Sequence, residues 1–191
     1  MSAGTHNRLL SAAQDELVRG NGSFEMQAVA KRAQVSVGLA YHHFGSKAGL
    51  VAAVVEAFYG QLEIAAFDGF RAPSPVWPER ERSRILAYIQ FHYAHPLAPL
   101  MVGSLSRSLE VQDVEAAFTD KQLAGGAHMI AEAQLQGILP MSVDPELTIA
   151  LMVGGIRQAL YGALKREPRP DPQILADKIW SFMAAALGLR N

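Results

Sequence analysis

The chain of 191 residues contains no cysteine. That excludes thiolate metal sites and thiol catalysis, and it fits a reducing compartment. Catalytic signatures are missing as well: there is no glycine-rich phosphate loop, no H-E-x-x-H and no pair of carboxylates set in a recognisable motif. Enzyme activity, a cofactor and a metal site are therefore not expected. Residues 1–7 are polar, with neither a secretory apolar region nor a basic leader, and no uninterrupted apolar run approaches membrane-spanning length. The expected location is the cytoplasm, with no membrane partner. No stretch alternates apolar and polar residues with β-branched enrichment, so no strands are expected. Low-complexity segments are absent and half the residues are hydrophobic, which excludes wholesale disorder.

A strong excess of either charge is also lacking, since the net charge is −1. The charge is unevenly spread. Residues 1–50 hold Arg8, Arg19, Lys31, Arg32 and Lys47 against Asp15, Glu16 and Glu25, so basic character collects there and the remainder is acidic. The asymmetry is modest and gives weak support for a nucleic-acid partner near the N-terminus.

What is present is helical periodicity throughout, and the fold class is all-α. Leu9, Leu10, Ala13 and Leu17 share one face of a first helix that ends at Gly20-Asn21-Gly22, after which Phe24 seals a small core. Ser46 can cap a long helix running to about Phe70, about 36 Å at ~1.5 Å per residue. Arg71 to Pro78 is proline-rich and reads as a loop. A helix from Glu79 to Tyr93 carries Ile85, Leu86, Ile89 and Tyr93 on one stripe and ends at His95-Pro96; a short helix covers Pro96 to Leu105. Another spans Asp113 to Gln136, with Gly137 as its stop. Asp144-Pro145-Glu146 and Asp171-Pro172 start the last two helices. On the final helix Leu175, Ile179, Phe182 and Ala186 lie at core spacing, while Trp180 and Met183 point elsewhere.

Val29 to Lys47 is the most informative stretch. Val29, Ala30 and Ala33 form an apolar helical stripe, Gln34-Val35 break it, and Ser36 is a good N-cap for a second helix. The arrangement is helix-turn-helix, in which the second helix enters the major groove of DNA. Val37, Gly38 and Leu39 would then meet base edges. Ala30, Ala33, Val35-Ser36, Gly38, Tyr41, His43-Phe44 and Ser46-Lys47 stand in the register of one known pattern. At these residues the chain resembles the TetR family of bacterial transcriptional regulators, over about a quarter of its length, roughly Arg8 to Leu50. Four positions depart from the family: Gln34 replaces the usual turn glycine, Met26 and Leu39 replace threonines, and Glu25 stands where a Ser or Thr caps the helix. A side chain at positive φ in the turn costs on the order of 1 kcal/mol, and Leu39 exchanges a hydroxyl for an apolar group suited to a thymine methyl.

The resemblance implies a DNA-binding domain at 1–50 and an effector-binding and dimerisation domain at 51–191. It implies phosphate contacts from Tyr41 and Lys47, backbone or base contacts from His42 and His43, with Ser36 and the helix start beside them, and a core position for Phe44. It implies an apolar or aromatic small-molecule effector in a pocket drawn from Tyr59, Leu62, Tyr88, Phe91, His92, His95, Met101, Phe118 and Met129, residues that helical spacing alone would equally place in a core. His92 and His95 also have a spacing that could supply two metal ligands, but no carboxylate accompanies them. The last two helices would form a homodimer interface through Leu151, Gly154, Gly155, Gln158, Trp180 and Met183, presenting two recognition helices to a palindromic double-stranded operator. The function so implied is a ligand-responsive regulator, usually a repressor, with the long fourth helix as lever. An effector-independent architectural DNA-binding protein and a helical ligand-binding dimer without operator binding are the alternatives.

Overall fold

The structure, a computed structural model, describes residues 3–68, 77–102, 105 and 108–189. Among them the helices are α1 (Ala3–Arg19), α2 (Met26–Ala33), α3 (Val37–Phe44), α4 (Lys47–Ala66), α5 (Trp77–Ala94), α6 (Ala98–Val102), α7 (Leu109–Leu135), α8 (Pro145–Leu164) and α9 (Pro172–Ala186), with no strand. The all-α expectation holds. The chain divides into two compact units, one of Met1–Gln61 with His95–Ala116 and one of Leu62–Ala94 with Ala117–Asn191.

In the first unit α1 packs on α2, and α2 on α3. Leu9, Ala13 and Leu17 of α1 are fully buried, as are Val29 of α2 and Ala40 of α3, and Phe24 is buried with them. Full burial of a side chain such as Leu9 contributes about 1.5–3 kcal/mol. The ends of these helices follow their local chemistry. Gln34 takes the left-handed conformation, φ 56° and ψ 48°, and with it the Val35 N–H reaches back to the Ala30 carbonyl at 3.0 Å, closing α2 at the cost of a non-glycine residue at positive φ. Glu25 caps the other end without any side-chain hydrogen bond. Ser36 accepts the Leu39 N–H at 3.2 Å and Ser46 accepts the Gly49 N–H at 2.9 Å, fixing the starts of α3 and α4.

The second unit is built on Ile85 and Ile89 of α5, Ile130 and Ala133 of α7, Ile149, Met152, Ile156 and Leu160 of α8, and Ala176, Ile179, Met183 and Leu187 in and after α9. Asp144 and Asp171 cap α8 and α9, each accepting two N–H groups, with proline in the first turn. Gly137, at φ 73°, ends α7, and the buried Gln134 side chain donates to the carbonyls of Pro140 and Val143, which pins the connection to α8. At Gly126 a Cβ would collide with the Ile149 side chain, so α7 and α8 approach closely there.

Three expectations change. Trp77 and Pro78 are not loop residues but open α5, where a proline without an N–H breaks no helical bond; residues 71–76 lie outside the described residues. α4 ends at Ala66 rather than near Phe70, and residues 69–70 also lie outside the description. On α9 the inward stripe is Ala176, Ile179, Met183 and Leu187, so Met183 is a core residue while Phe182 is 77% exposed. The two stripes share Ile179, and packing against α5 decides between them. By length and composition α4 and α8 are apolar enough to cross a membrane, although charged residues, Glu56 and Glu63 in α4 and Arg157 in α8, interrupt both. Both supply core residues here, Leu50, Val54 and Phe58 from α4 and Met152, Ile156 and Leu160 from α8.

Candidate DNA-contact surface, ligand cluster and apolar groove

α3 turns one residue inward, Ala40, and presents Gly38, Leu39, Tyr41 and His42 to solvent. Leu39 is 37% and Tyr41 44% exposed, large apolar surface that folding of this unit leaves uncovered. Ser36 and Lys47 are exposed, and Val37 and His43 are half-buried. Phe44, expected in the core, is half-buried against the His6 ring at 4.9 Å, and His6 lies 6.1 Å from His43. The Lys47 ammonium sits 5.2 Å from the Phe24 ring centre, which orients its charge beside the capped N-terminus of α4. Lys31 is exposed too, but Arg32 is not an available cation: its guanidinium binds Glu16 at 2.7 Å and Asp15 at 3.3 Å and braces α2 against α1. The basic character of the first fifty residues is thus partly consumed inside the domain.

Of the residues expected to line an effector pocket, Tyr59, His95 and Met101 belong to the first unit and Leu62, Tyr88, Phe91, His92, Phe118 and Met129 to the second. In the first unit Met101 is buried, and His95 stacks edge-on to Phe58 at 4.8 Å and accepts the Leu97 N–H through Nδ1. Burial holds the His95 pKa below its ordinary 6.5. In the second unit His92 is buried and its Nδ1 bonds the Tyr88 carbonyl at 2.8 Å, with the Tyr88 ring 4.3 Å away. Leu62 is fully buried, whereas Tyr88, Phe91, Phe118 and Met129 keep partial exposure. Around Tyr88 lies a polar group that periodicity did not flag. Glu81 is buried and binds Arg84 at 2.8 Å and Arg80 at 3.4 Å, and on α8 the Arg157 Nε–H donates to the Tyr161 hydroxyl at 2.7 Å. Desolvation drives the Tyr88 phenol well above its ordinary pKa; neighbouring Tyr161 adds to the rise, and Arg157 and Arg84 oppose it. The available signal was Arg157 and Tyr161 one turn apart in an otherwise apolar helix.

The outward sides of α8 and α9 enclose an apolar groove of about 530 Å³ lined by Leu151, Met152, Gly155, Ile179, Phe182 and Met183, among others. Leu151 is 67% exposed, and Gly154, Gly155 and Gln158 are exposed as well. Trp180 instead packs against Trp77 of α5, ring centres 6.3 Å apart, and Met183 forms the groove floor from within the core.

Residues 9–54, which contain the α2–α3 unit, match the family described as bacterial regulatory proteins, tetR family. That match is confined to the N-terminal helices. Full-length likeness supports the same fold for the rest of the chain. The transcriptional regulator FadR from Bacillus subtilis, solved with stearoyl-CoA, is 16% identical at a TM-score of 0.79, covering 93% of this chain and 97% of its own. NalD, the secondary repressor of the MexAB-OprM multidrug efflux pump in Pseudomonas aeruginosa, is 18% identical at 0.76, with 100% of both chains covered. A TetR-like transcriptional regulator from Rhodococcus sp. RHA1 is 22% identical at 0.71, covering 100% of this chain and 99% of that one. No curated protein sequence is similar enough to register as a relative. The chain therefore has the TetR-family transcriptional regulator fold, with α3 in the place of the second helix of the helix-turn-helix.

Proposed function

We propose that the protein is a homodimeric, ligand-responsive transcriptional repressor of the cytoplasm, which binds a palindromic operator through α3 and is released by a small molecule bound within residues 51–191. The observation that carries the reading is the outward face of α3, where Gly38, Leu39, Tyr41 and His42 stand exposed on a helix anchored by Ala40 beside the uncommitted charge of Lys47. Tyr41 and Lys47 would hold phosphates, which set register without reading sequence, while Leu39 and His42 would meet base edges. A second copy of the chain would cover the α8–α9 groove and give two recognition helices the two-fold symmetry of a palindrome. Release is then a matter of linkage: a ligand that prefers a dimer with wrongly spaced recognition helices binds the DNA-bound dimer less well, and DNA weakens the ligand by the same factor. In this reading α4 is the lever.

The test is fluorescence anisotropy with duplexes tiling the DNA upstream of the protein's own gene. Tight binding confined to a duplex with an inverted repeat supports the regulator. Equal affinity for all duplexes would favour an architectural protein, and binding to none a helical ligand-binding dimer.

A further inference from the structure

α1 reaches the end of the α3 surface. The His6 ring lies 4.9 Å from that of Phe44 and 6.1 Å from that of His43, and His43 lies 6.1 Å from His42. Three imidazoles therefore run from α1 along the last turn of α3, His42 exposed and His6 and His43 half-buried, with Phe44 as the apolar support under His6. Among the described residues none of the three makes a hydrogen bond or an ion pair, so their ring nitrogens are open to solvent or to a partner outside the chain. No carboxylate balances them. The first acid on α1 is Asp15, nine residues past His6 and about 13 Å along the helix at ~1.5 Å per residue, and Arg32 holds it together with Glu16. α3 carries no acid, the first on α4 is Glu56, and α2 brings Glu25 at its N-cap but Lys31 and Arg32 in its last turn. The charged groups nearest to the imidazoles in sequence on α1 and α4 are the cations Arg8 and Lys47. Protonating all three rings in the free protein crowds like charges without a counter-ion, whereas a phosphate backbone laid along α3 would supply one. An imidazolium donates through both nitrogens, and its bonds to phosphate oxygens are charge-assisted. On the reading that α3 enters the major groove, we propose that His6 is a further DNA-contact residue, forming with His42 and His43 a phosphate clamp that takes up protons when DNA binds. DNA affinity then rises as the pH falls, because the bound state holds more protons than the free one and linkage ties the pH slope to that difference.

The experiment is fluorescence anisotropy of the full chain with the tightest-binding upstream duplex, from about pH 5.5 to about pH 8 at constant ionic strength, a range over which histidine changes charge. Wild-type affinity falls about tenfold or more across it. His6→Gln weakens binding about threefold or more at the acid end, approaches wild type as the pH rises, and lowers the acid-side salt slope by about one unit per half-site. His6→Arg, whose charge does not titrate, restores the acid-side affinity and holds it to higher pH. His6→Phe keeps a ring against Phe44 and loses affinity as His6→Gln does; if it instead follows the wild-type profile, His6 is a packing residue and the clamp is overturned. The triple variant His6→Gln, His42→Gln, His43→Gln gives a nearly flat profile, and His128→Gln, an exposed position on α7 beside Glu132, keeps the wild-type one. Circular dichroism checks folding, and if one His6 variant fails to fold the other two decide. An affinity independent of pH, or one pH slope shared by wild type and every His6 variant, would overturn the proposal while leaving α3 as the DNA-reading helix. Absence of binding to any upstream duplex at any pH would remove that reading and the clamp with it.

Discussion

The outward face of α3 and the outward faces of α8 and α9 both hold large apolar side chains in solvent, but they are built differently. α3 is eight residues long, anchored by one buried alanine, and mixes Leu39 and Tyr41 with histidine and a nearby lysine. Such a surface suits a polar, charged partner that is contacted at its edges. The α8–α9 face is continuous, with Leu151 and Phe182 around a groove whose walls are almost wholly apolar. A surface of that kind suits a partner that excludes water. In the proposed reading, the polarity around an exposed aromatic, not its exposure, separates a nucleic-acid face from a protein face.

The largest effect should come from filling the second face. Among the described residues a Cβ at Gly154 or Gly155 meets nothing within 4 Å, so the fold of one protomer should tolerate leucine at either position. Gly154→Leu, Gly155→Leu and Phe182→Glu should yield folded monomers whose operator affinity falls about 100-fold or more, because each half-site then binds without its partner. Sedimentation velocity beside circular dichroism checks this, and an intact dimer in all three variants would erase the distinction between the faces.

The contrast also explains what could be read from the sequence. The α3 surface was legible because its determinants are local: the Ser36 cap, the strained Gln34 turn and the Ser46 cap all lie close along the chain, and the two serines cap as their residue type favours while Gln34 takes the positive φ that the turn demands. The phase of α9 was not, because two stripes through Ile179 fit helical spacing equally well. Packing with a helix far away in sequence selects one, as in the Arg82–Asp177 ion pair that joins residues 95 apart. The Tyr88 cluster was half legible. Tyr88 and His92, one turn apart on α5, were named as pocket candidates, but the electrostatic influence of Arg157 and Tyr161 on Tyr88 depends on how α5 lies on α8.

A change under the second face rather than on it sharpens the comparison. Gly126→Ala forces the Ile149 side chain to move and should destabilise the protein by roughly 1–3 kcal/mol, read as a lowered denaturant midpoint. Gly154→Ala should be nearly silent by the same measurement.

On the first face the expected changes are smaller and uniform. Lys47→Ala should weaken binding to every duplex by about the same factor, on the order of tenfold, and lower the salt slope by about one unit per half-site, with Tyr41→Phe giving a smaller loss. Anisotropy over a range of salt concentrations checks both, and a loss confined to the operator would make them base readers.

The smallest effect separates the units by pH. The folded His95 pKa lies below 6.5 and the unfolded one near it, so the unfolded chain takes the proton first. Stability is therefore full above about pH 6.5 and declines as the pH falls through that value toward the folded pKa. Hydrogen exchange resolved by segment should show earlier loosening in acid around His95 and Phe58 than in α8 and α9, and His95→Gln should flatten the difference.

The central claim, that one face reads DNA while the other makes the dimer that allows it, is tested most directly by sedimentation velocity of the protein with a labelled operator duplex, wild type beside Phe182→Glu. The account predicts an even number of chains on each duplex for the wild type, and a folded Phe182→Glu monomer that leaves the duplex free at the same concentration. A monomeric variant that binds the operator as tightly as the wild type would contradict it.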